Sequence, residues 1–62
     1  MMKVIFFDKR RETMTSVGGI IQLQSARREV NGRMAKVWLL VMNDGDDRIL
    51  KQSEFEIERV EI

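Results

Sequence analysis

The stretch IIQLQSARREVNGRMAKVWLLVM, residues 20–42, consists of two apolar-rich runs joined at Val30-Asn31-Gly32-Arg33. Asn-Gly is the preferred pair for the two positive-φ positions of a type I′ hairpin turn. A two-residue turn also fixes the register of the flanking strands, with Val30 opposite Arg33. The pairs that follow outward are Arg28 with Ala35, Arg27 with Lys36, Ala26 with Val37, Ser25 with Trp38, Leu23 with Leu40, and Ile21 with Met42. This stretch therefore predicts a long antiparallel β-hairpin.

One face of the predicted hairpin is mostly apolar, whereas the other mixes glutamines with aliphatic residues. The apolar face carries Ile21, Leu23, Trp38, Leu40 and Met42. Successive side chains of a strand point to opposite faces of the sheet, so these five residues lie together. We predict that this face forms the core.

The N-terminal segment predicts one further strand and a loop. Residues 3–8 (KVIFFD) form a β-branched and aromatic run with apolar side chains on both faces, which is typical of a strand covered on both sides or of a strand that crosses a barrel edge. Residues 9–16 do not alternate and are followed by Gly18-Gly19, so we predict a loop of about ten residues here. The alternative is one helical turn over residues 9–14, which the threonines and glycines disfavour.

The C-terminal third predicts two more strands. Residues 43–47 (NDGDD) are dense in turn-forming residues and lead into a fourth strand over residues 48–52, paired with the third. A tight turn over residues 53–55 precedes a last strand over residues 57–62, and the apolar residues there change phase, which requires a bulge or bend. Ser53 and Glu56 also fit a helix capping box, so residues 53–62 have a helical alternative. No apolar stripe forms at helical spacing, and we favour the strand.

A chain of 62 residues suffices for a single small β domain, residues 1–62, with one thin core. Five short strands joined mostly by tight turns predict an all-β fold. Its form is either a small five-stranded SH3-like barrel or a bent antiparallel meander containing the Asn31-Gly32 hairpin.

Four segments carry a likeness to a known fold. They are Gly19-Ile20-Ile21, the run VWLLV at 37–41, the turn Asn43-Asp44-Gly45, and the ending from Leu50 to Val60. Over residues 17–62 their order resembles the strand, acidic turn, short 3₁₀ turn and closing strand of SH3-like barrels of the Tudor and KOW type. The resemblance implies a binding or accessory module rather than a catalyst, with nucleic acid or protein as its partner.

The residue types exclude most catalytic chemistry. Histidine, cysteine and tyrosine are absent, which removes the usual general base, the thiolate nucleophile and the softer metal ligands. We therefore predict that the chain is not an enzyme and has no cofactor, no metal site and no small-molecule substrate. Asp44, Asp46 and Asp47 offer oxygen ligands to a hard cation, but their spacing does not match an EF-hand loop, so we interpret them as a solvated turn.

The absence of cysteine also bears on location. A small extracellular domain of this length usually depends on disulfides, so we predict a cytoplasmic protein. The apolar run over residues 4–7 is too short for a signal sequence or a membrane span, and we predict no membrane contact.

Basic residues cluster in two places, the tip of the hairpin and the segment after the first strand. The candidate site residues are Arg27, Arg28, Arg33 and Lys36 at the tip, with Lys9, Arg10 and Arg11 after the strand. Arg27 directly opposite Lys36 is a like-charge pair, which costs stability. We predict that this cost is retained because the tip meets the phosphates of DNA or RNA.

The distribution of charge supports an alternative partner. Residues 1–38 have eight basic and three acidic residues, a net charge of +5, whereas residues 39–62 have three basic and seven acidic residues, a net charge of −4. The basic half of one copy could dock on the acidic half of another, or strand edges could pair across a homodimer. A protein partner or self-association is therefore the alternative function.

Overall fold

The computed structural model describes residues 1–62 as five β-strands and no helix. The strands are β1 (Met2–Asp8), β2 (Thr13–Val30), β3 (Arg33–Met42), β4 (Arg48–Lys51) and β5 (Phe55–Glu61). They form one antiparallel sheet in the order β4-β3-β2-β1-β5. The prediction of an all-β fold with five antiparallel strands is confirmed. The sheet is open, because the edge strands β4 and β5 do not pair, so it is not closed into a barrel.

The β2-β3 hairpin turns at Asn31-Gly32, where both residues have positive φ, 52° and 81°. Its register matches the prediction from Val30 opposite Arg33 back to Leu23 opposite Leu40. Met42, however, pairs with Ile20 rather than with Ile21. Ile21 is 57% exposed, so its assignment to the core is wrong, and Ile20 is buried in its place.

Two bulges in β2 explain this change. Val17 and Ile20 face β1 residues that are only two apart, so one bulge lies at Gly18-Gly19, where Gly19 has a φ of 72°. In the pairing of β2 with β3, Ile20 and Gln22 lie opposite two adjacent residues, Met42 and Val41. A second bulge therefore lies at Ile21. Each extra residue reverses the alternation of side chains and sharpens the local bend.

The connection between β1 and β2 is shorter than predicted. β2 begins at Thr13, so the loop expected over residues 9–16 is wrong and only residues 9–12 form the turn. Asp8 accounts for the shortness, because its Oδ1 accepts hydrogen bonds from the backbone amides of Arg10 and Arg11 at 3.0 and 3.2 Å. Such a side-chain-to-backbone turn reverses the chain within a few residues.

The C-terminal segment is a strand, as favoured, and not a helix. Residues 52–54 turn between β4 and β5, and the register between β1 and β5 shifts between Ile57 and Arg59, which confirms the expected bulge. Strands β1 to β4 follow one another across the sheet as a bent antiparallel meander, and β5 pairs with β1 at the far edge.

The link over residues 52–54 forces the sheet to curve. Strands β4 and β5 are separated by four strand spacings, about 19 Å in a flat sheet. The Cα atoms at the two ends of the link can be at most about 15 Å apart. The curved sheet therefore brings β3 towards β5, and the indole Nε1 of Trp38 donates a hydrogen bond of 3.0 Å to the carbonyl of Phe55.

The core fills the concave side of this curved sheet. Its six buried residues are Val4, Phe6, Val17, Ile20, Leu40 and Met42. Met2, Leu23, Trp38, Leu50, Phe55 and Ile57 pack against them and are partly buried. The rings of Phe6 and Phe55 meet edge to face with centroids 6.2 Å apart. Of the five residues predicted for the core face, four thus contribute to it.

Candidate functional site

The basic residues at the hairpin tip lie on both faces of the β2-β3 ribbon. Arg27 is directly opposite Lys36, on the face that carries Trp38 and faces the concave side of the sheet. Arg28 and Arg33 belong to the other face by their register. All four residues are exposed. The register thus pairs the like charges as the sequence predicts and divides the tip into two basic pairs.

The second basic group, Lys9, Arg10 and Arg11, occupies the β1-β2 turn at the other end of the long strand β2. The link over residues 52–54 nevertheless brings it near the hairpin. The backbone N–H of Gln52 donates a hydrogen bond of 3.0 Å to the carbonyl of Lys36. The backbone N–H of Lys9 donates one of 2.9 Å to the carbonyl of Glu54. Lys36 and Lys9 are therefore hydrogen-bonded to the two ends of the same three-residue link.

Side-chain contacts strengthen the junction between the hairpin and the link. The amide Nε2 of Gln52 donates to Ser25 Oγ at 2.7 Å and to the carbonyl of Val37 at 3.1 Å. The Trp38 indole bond to Phe55 fixes the far end of the same link. The hairpin is therefore attached to the link through both backbone and side-chain hydrogen bonds.

A cleft of about 510 Å³ opens between the β1-β2 turn, β4 and the start of β5. We call it the arginine cleft. Its lining residues are Asp8, Arg10, Arg11, Thr15, Val17, Arg48, Leu50, Glu54 and Phe55. The lining thus combines three cations with three apolar residues, Val17, Leu50 and Phe55, which we call the floor of the cleft. Two of the three cations were among the predicted site residues, but Arg48 was not.

The two carboxylates of the arginine cleft are both engaged. Glu54 forms two ion pairs: its Oε2 lies 3.5 Å from Lys51 Nζ, and its Oε1 lies 3.9 Å from Arg10 Nη1. Asp8 holds the β1-β2 turn through its Oδ1. Arg11 and Arg48 take part in no salt bridge, so their charges are available to an anion.

The remaining ion pairs lie on the β1-β5 side of the molecule. Glu61 is 2.8 Å from Arg59 and 3.3 Å from Lys3, and the hydrogen bonds from Arg59 and then Lys3 hold the pKa of Glu61 below its ordinary value of 4.5. None of the four hairpin-tip cations has an ion-pair partner. The four hairpin-tip cations are thus free of ion pairs, whereas Lys3 and Arg59 near β5 are paired.

The acidic turn between β3 and β4 uses its carboxylates locally. Asp44 Oδ1 accepts from the amide of Asp46 at 2.8 Å, and Asp47 Oδ1 accepts from the amide of Met42 at 3.2 Å. These contacts shape the turn, and no group of three or more acidic side chains is arranged to hold a metal ion. The structure also contains no helix capable of crossing a bilayer.

No protein-family model, no curated protein and no solved structure matches the chain. The likeness to SH3-like barrels of the Tudor and KOW type therefore stays a prediction. The class that the structure defines is a small, open, curved all-β sheet with a basic hairpin and an arginine-lined cleft.

Proposed function

We propose that this protein is a non-enzymatic nucleic-acid-binding module that contacts phosphates through its basic hairpin and its β1-β2 turn. The observation that carries the proposal is the unpaired couple formed by Arg27 and Lys36 on a hairpin that shares the link over residues 52–54 with the turn that holds Lys9. A cytoplasmic location and the absence of a cofactor belong to the same proposal.

The like-charge couple argues for an external anion. Two cations directly opposite each other on neighbouring strands repel, and here no carboxylate forms an ion pair with either one. A phosphate placed between them converts the repulsion into two charge-assisted contacts. Polyanions are the partners whose binding gains most from such an arrangement, since each neutralised phosphate releases condensed counterions.

The position of the couple extends the surface beyond one phosphate. The link over residues 52–54 joins the backbone of Lys36 to that of Lys9, and Arg10 and Arg11 follow in the same turn. A nucleic-acid backbone that crosses this link meets cations on both sides of it. Arg28 and Arg33, on the opposite face of the hairpin, supply further charge that steers association.

Catalysis is not part of the proposal. Proton transfer near neutral pH most often uses histidine, and nucleophilic catalysis often uses cysteine, and the chain has neither. In the arginine cleft, Glu54 is paired with Lys51 and Arg10, and Asp8 Oδ1 holds the β1-β2 turn. Phosphate binding requires none of the missing groups.

The test compares two variants with equal changes in net charge. R27S/K36S removes the unpaired couple, whereas K3S/R59S removes two cations that are paired with Glu61 on the β1-β5 side. Fluorescence anisotropy with labelled single-stranded DNA and RNA is measured over a series of salt concentrations. We expect R27S/K36S to bind more weakly and to lower the slope of log K against log salt by about 2.

The control variant K3S/R59S should keep most of the affinity and of the salt slope. Equal losses in the two variants would show that only net charge matters and would contradict the assignment to the hairpin. Unchanged affinity in R27S/K36S would refute it directly.

Self-association is the second candidate, and the open edges of the sheet favour it. β4 and β5 each have one side without a strand partner, and β5 carries Glu56 and Glu58, both exposed and outside the salt bridges. The basic hairpin of one copy is complementary to this acidic edge of another. Light scattering at two protein concentrations, repeated in high salt, tests it: a salt-sensitive rise in mass supports association, and a monomer throughout refutes it.

A further inference from the structure

The arginine cleft contains a hydrogen-bond acceptor that the fold does not use. Asp8 is only 8% exposed, and its Oδ1 accepts the amides of Arg10 and Arg11. Its Oδ2 has no hydrogen-bond partner, and yet no buried side-chain oxygen or nitrogen of the chain lacks one. Solvent must therefore reach Oδ2, and Asp8 is one of the residues that line the cleft.

The floor of the cleft consists of apolar side chains. Val17 is buried, while Leu50 and Phe55 are partly buried and contribute to the lining. The ring of Phe55 is supported from the core by Phe6 at an interplanar angle of 84°, and its carbonyl accepts the Trp38 indole. Phe55 is thus held in place without a ligand, which lowers the entropic cost of packing a ring against it.

Three requirements on a ligand follow from this lining. The unpaired guanidinium groups of Arg11 and Arg48 need an anion, the floor needs a planar or apolar group, and Asp8 Oδ2 needs an N–H donor. An acidic peptide would place a carboxylate near Asp8, and a basic peptide would face three arginines. A nucleotide supplies all three groups, and a cavity of 510 Å³ lies within the range of small-ligand sites.

We propose that the arginine cleft binds one unpaired nucleotide of a single strand and prefers a base with an exocyclic amino group. The base packs on Phe55 and Leu50, Asp8 Oδ2 accepts the amino N–H, and the phosphate lies between Arg11 and Arg48. Carboxylates read the cytosine amino group in this way in DNA grooves, and aromatic side chains bind unpaired bases by stacking. This inference rests on the proposed function and names its substrate class as single-stranded nucleic acid.

Cytosine and uracil separate the prediction from general phosphate binding, since position 4 carries an amino group in cytosine and a carbonyl in uracil. Short oligo(rC) and oligo(rU) of equal length are titrated into ¹⁵N-labelled protein. We expect the wild type to bind oligo(rC) at least about 10-fold more tightly, as is typical of a hydrogen bond to a charged group. Amide shifts should include residues 8–11, Arg48 and Phe55.

The variant D8N keeps an oxygen for the amides of Arg10 and Arg11 and replaces Oδ2 with an amide donor. We expect this variant to bind the two oligonucleotides equally, or to bind oligo(rU) more tightly than oligo(rC). R48S is the second variant, because it should weaken both oligonucleotides by the same factor and keep the cytosine preference. It also keeps the test decisive if D8N does not fold.

Two further probes distinguish the sources of binding. Inorganic phosphate alone should shift Arg11 and Arg48 only weakly, whereas cytidine monophosphate should also shift Phe55. Equal affinity for oligo(rC) and oligo(rU), with shifts confined to residues 27–36, would overturn the cleft proposal and leave the hairpin function standing. Absence of any binding at low salt would overturn both.

Discussion

Gly19 lies at the first bulge of β2 with a φ of 72°, a conformation that residues with a Cβ adopt only at a cost. A Cβ at this position would also lie 3.1 Å from the side-chain oxygen Oδ1 of Asn43. The backbone N–H of Asn43 donates a hydrogen bond of 3.0 Å to the Gly19 carbonyl. Gly19→Ala therefore combines backbone strain with a close contact. We expect it to lower the free energy of unfolding by about 1–3 kcal/mol in urea titrations.

The neighbouring glycine offers a matched control. A Cβ on Gly18 would meet no atom within 4 Å, and its φ is not in the left-handed region. Gly18→Ala should therefore leave stability nearly unchanged or raise it slightly, because it restricts the unfolded chain. Equal destabilisation by the two substitutions would contradict the role assigned to the bulge.

The carboxylate of Glu61 links stability to pH. Its pKa is lowered in the folded state by Arg59 and Lys3, so the contribution of Glu61 to stability is present above its unfolded pKa and is lost as the pH falls through the lowered folded pKa. Glu61→Gln should lower the midpoint of thermal unfolding at pH 7. At a pH below the folded value, the variant and the wild type should unfold at the same temperature. A difference that persists undiminished in acid would contradict this account.

At the scale of elements, Trp38 connects strands that are not adjacent in the sheet. It lies on β3, and its indole donates to the carbonyl of Phe55 at the start of β5. Trp38→Phe retains an aromatic ring but leaves that carbonyl without its donor, so we expect a loss of about 1–3 kcal/mol in unfolding free energy. Circular dichroism in urea measures it.

A conservative change at an exposed site on the same strand is the control for Trp38→Phe. Met34 is 63% exposed, and Met34→Leu should alter stability by less than about 0.5 kcal/mol. If Trp38→Phe proves as neutral as Met34→Leu, the indole bond does not hold the curved sheet together.

The sequence predicted elements best where local chemistry decides them. Asn31-Gly32 fixes its own turn type, and the register of nine residue pairs in β2 and β3 follows from it. The loop prediction over residues 9–16 is wrong because Asp8 closes the turn early and Thr13 to Ser16 then pair with β1. The prediction placed Ile21 on the wrong face because a bulge forms at this residue. The bulge arises where β2 pairs with both β1 and β3, and no local pattern in the sequence of β2 predicts it.

At the scale of the whole molecule, the candidate site depends on curvature. The link over residues 52–54 joins the two edge strands of the sheet, is hydrogen-bonded to both Lys36 and Lys9, and contributes Glu54 to the lining of the arginine cleft. Arg48 was missed for this reason, since it is a single basic residue after an acidic turn and gains its neighbours only in the folded sheet. Arg10 and Arg11 were found because they form a run in the sequence.

The small size of the molecule limits how its charges are compensated. With a shortest dimension of 15 Å the sheet has one thin core, and a chain of this length is stabilised by only about 3–9 kcal/mol. Uncompensated repulsion between Arg27 and Lys36 is therefore a notable cost.

We expect Lys36→Glu to raise the free energy of unfolding by about 0.5 kcal/mol in low salt and to weaken nucleic-acid binding. Unfolding and anisotropy titrations of this one variant measure both effects, and a loss of stability would contradict the repulsion.

The most direct test of nucleic-acid binding is a ¹⁵N amide titration of the intact chain with short mixed-sequence single-stranded DNA and RNA, at low and moderate salt. We predict salt-sensitive shifts at residues 9–11 and 27–36, extending to Arg48 across the arginine cleft, with little change in residues 56–61 of β5. Absence of shifts at low salt, or shifts confined to the acidic β5 edge, would contradict the proposal and would favour a protein partner or a second copy of the chain.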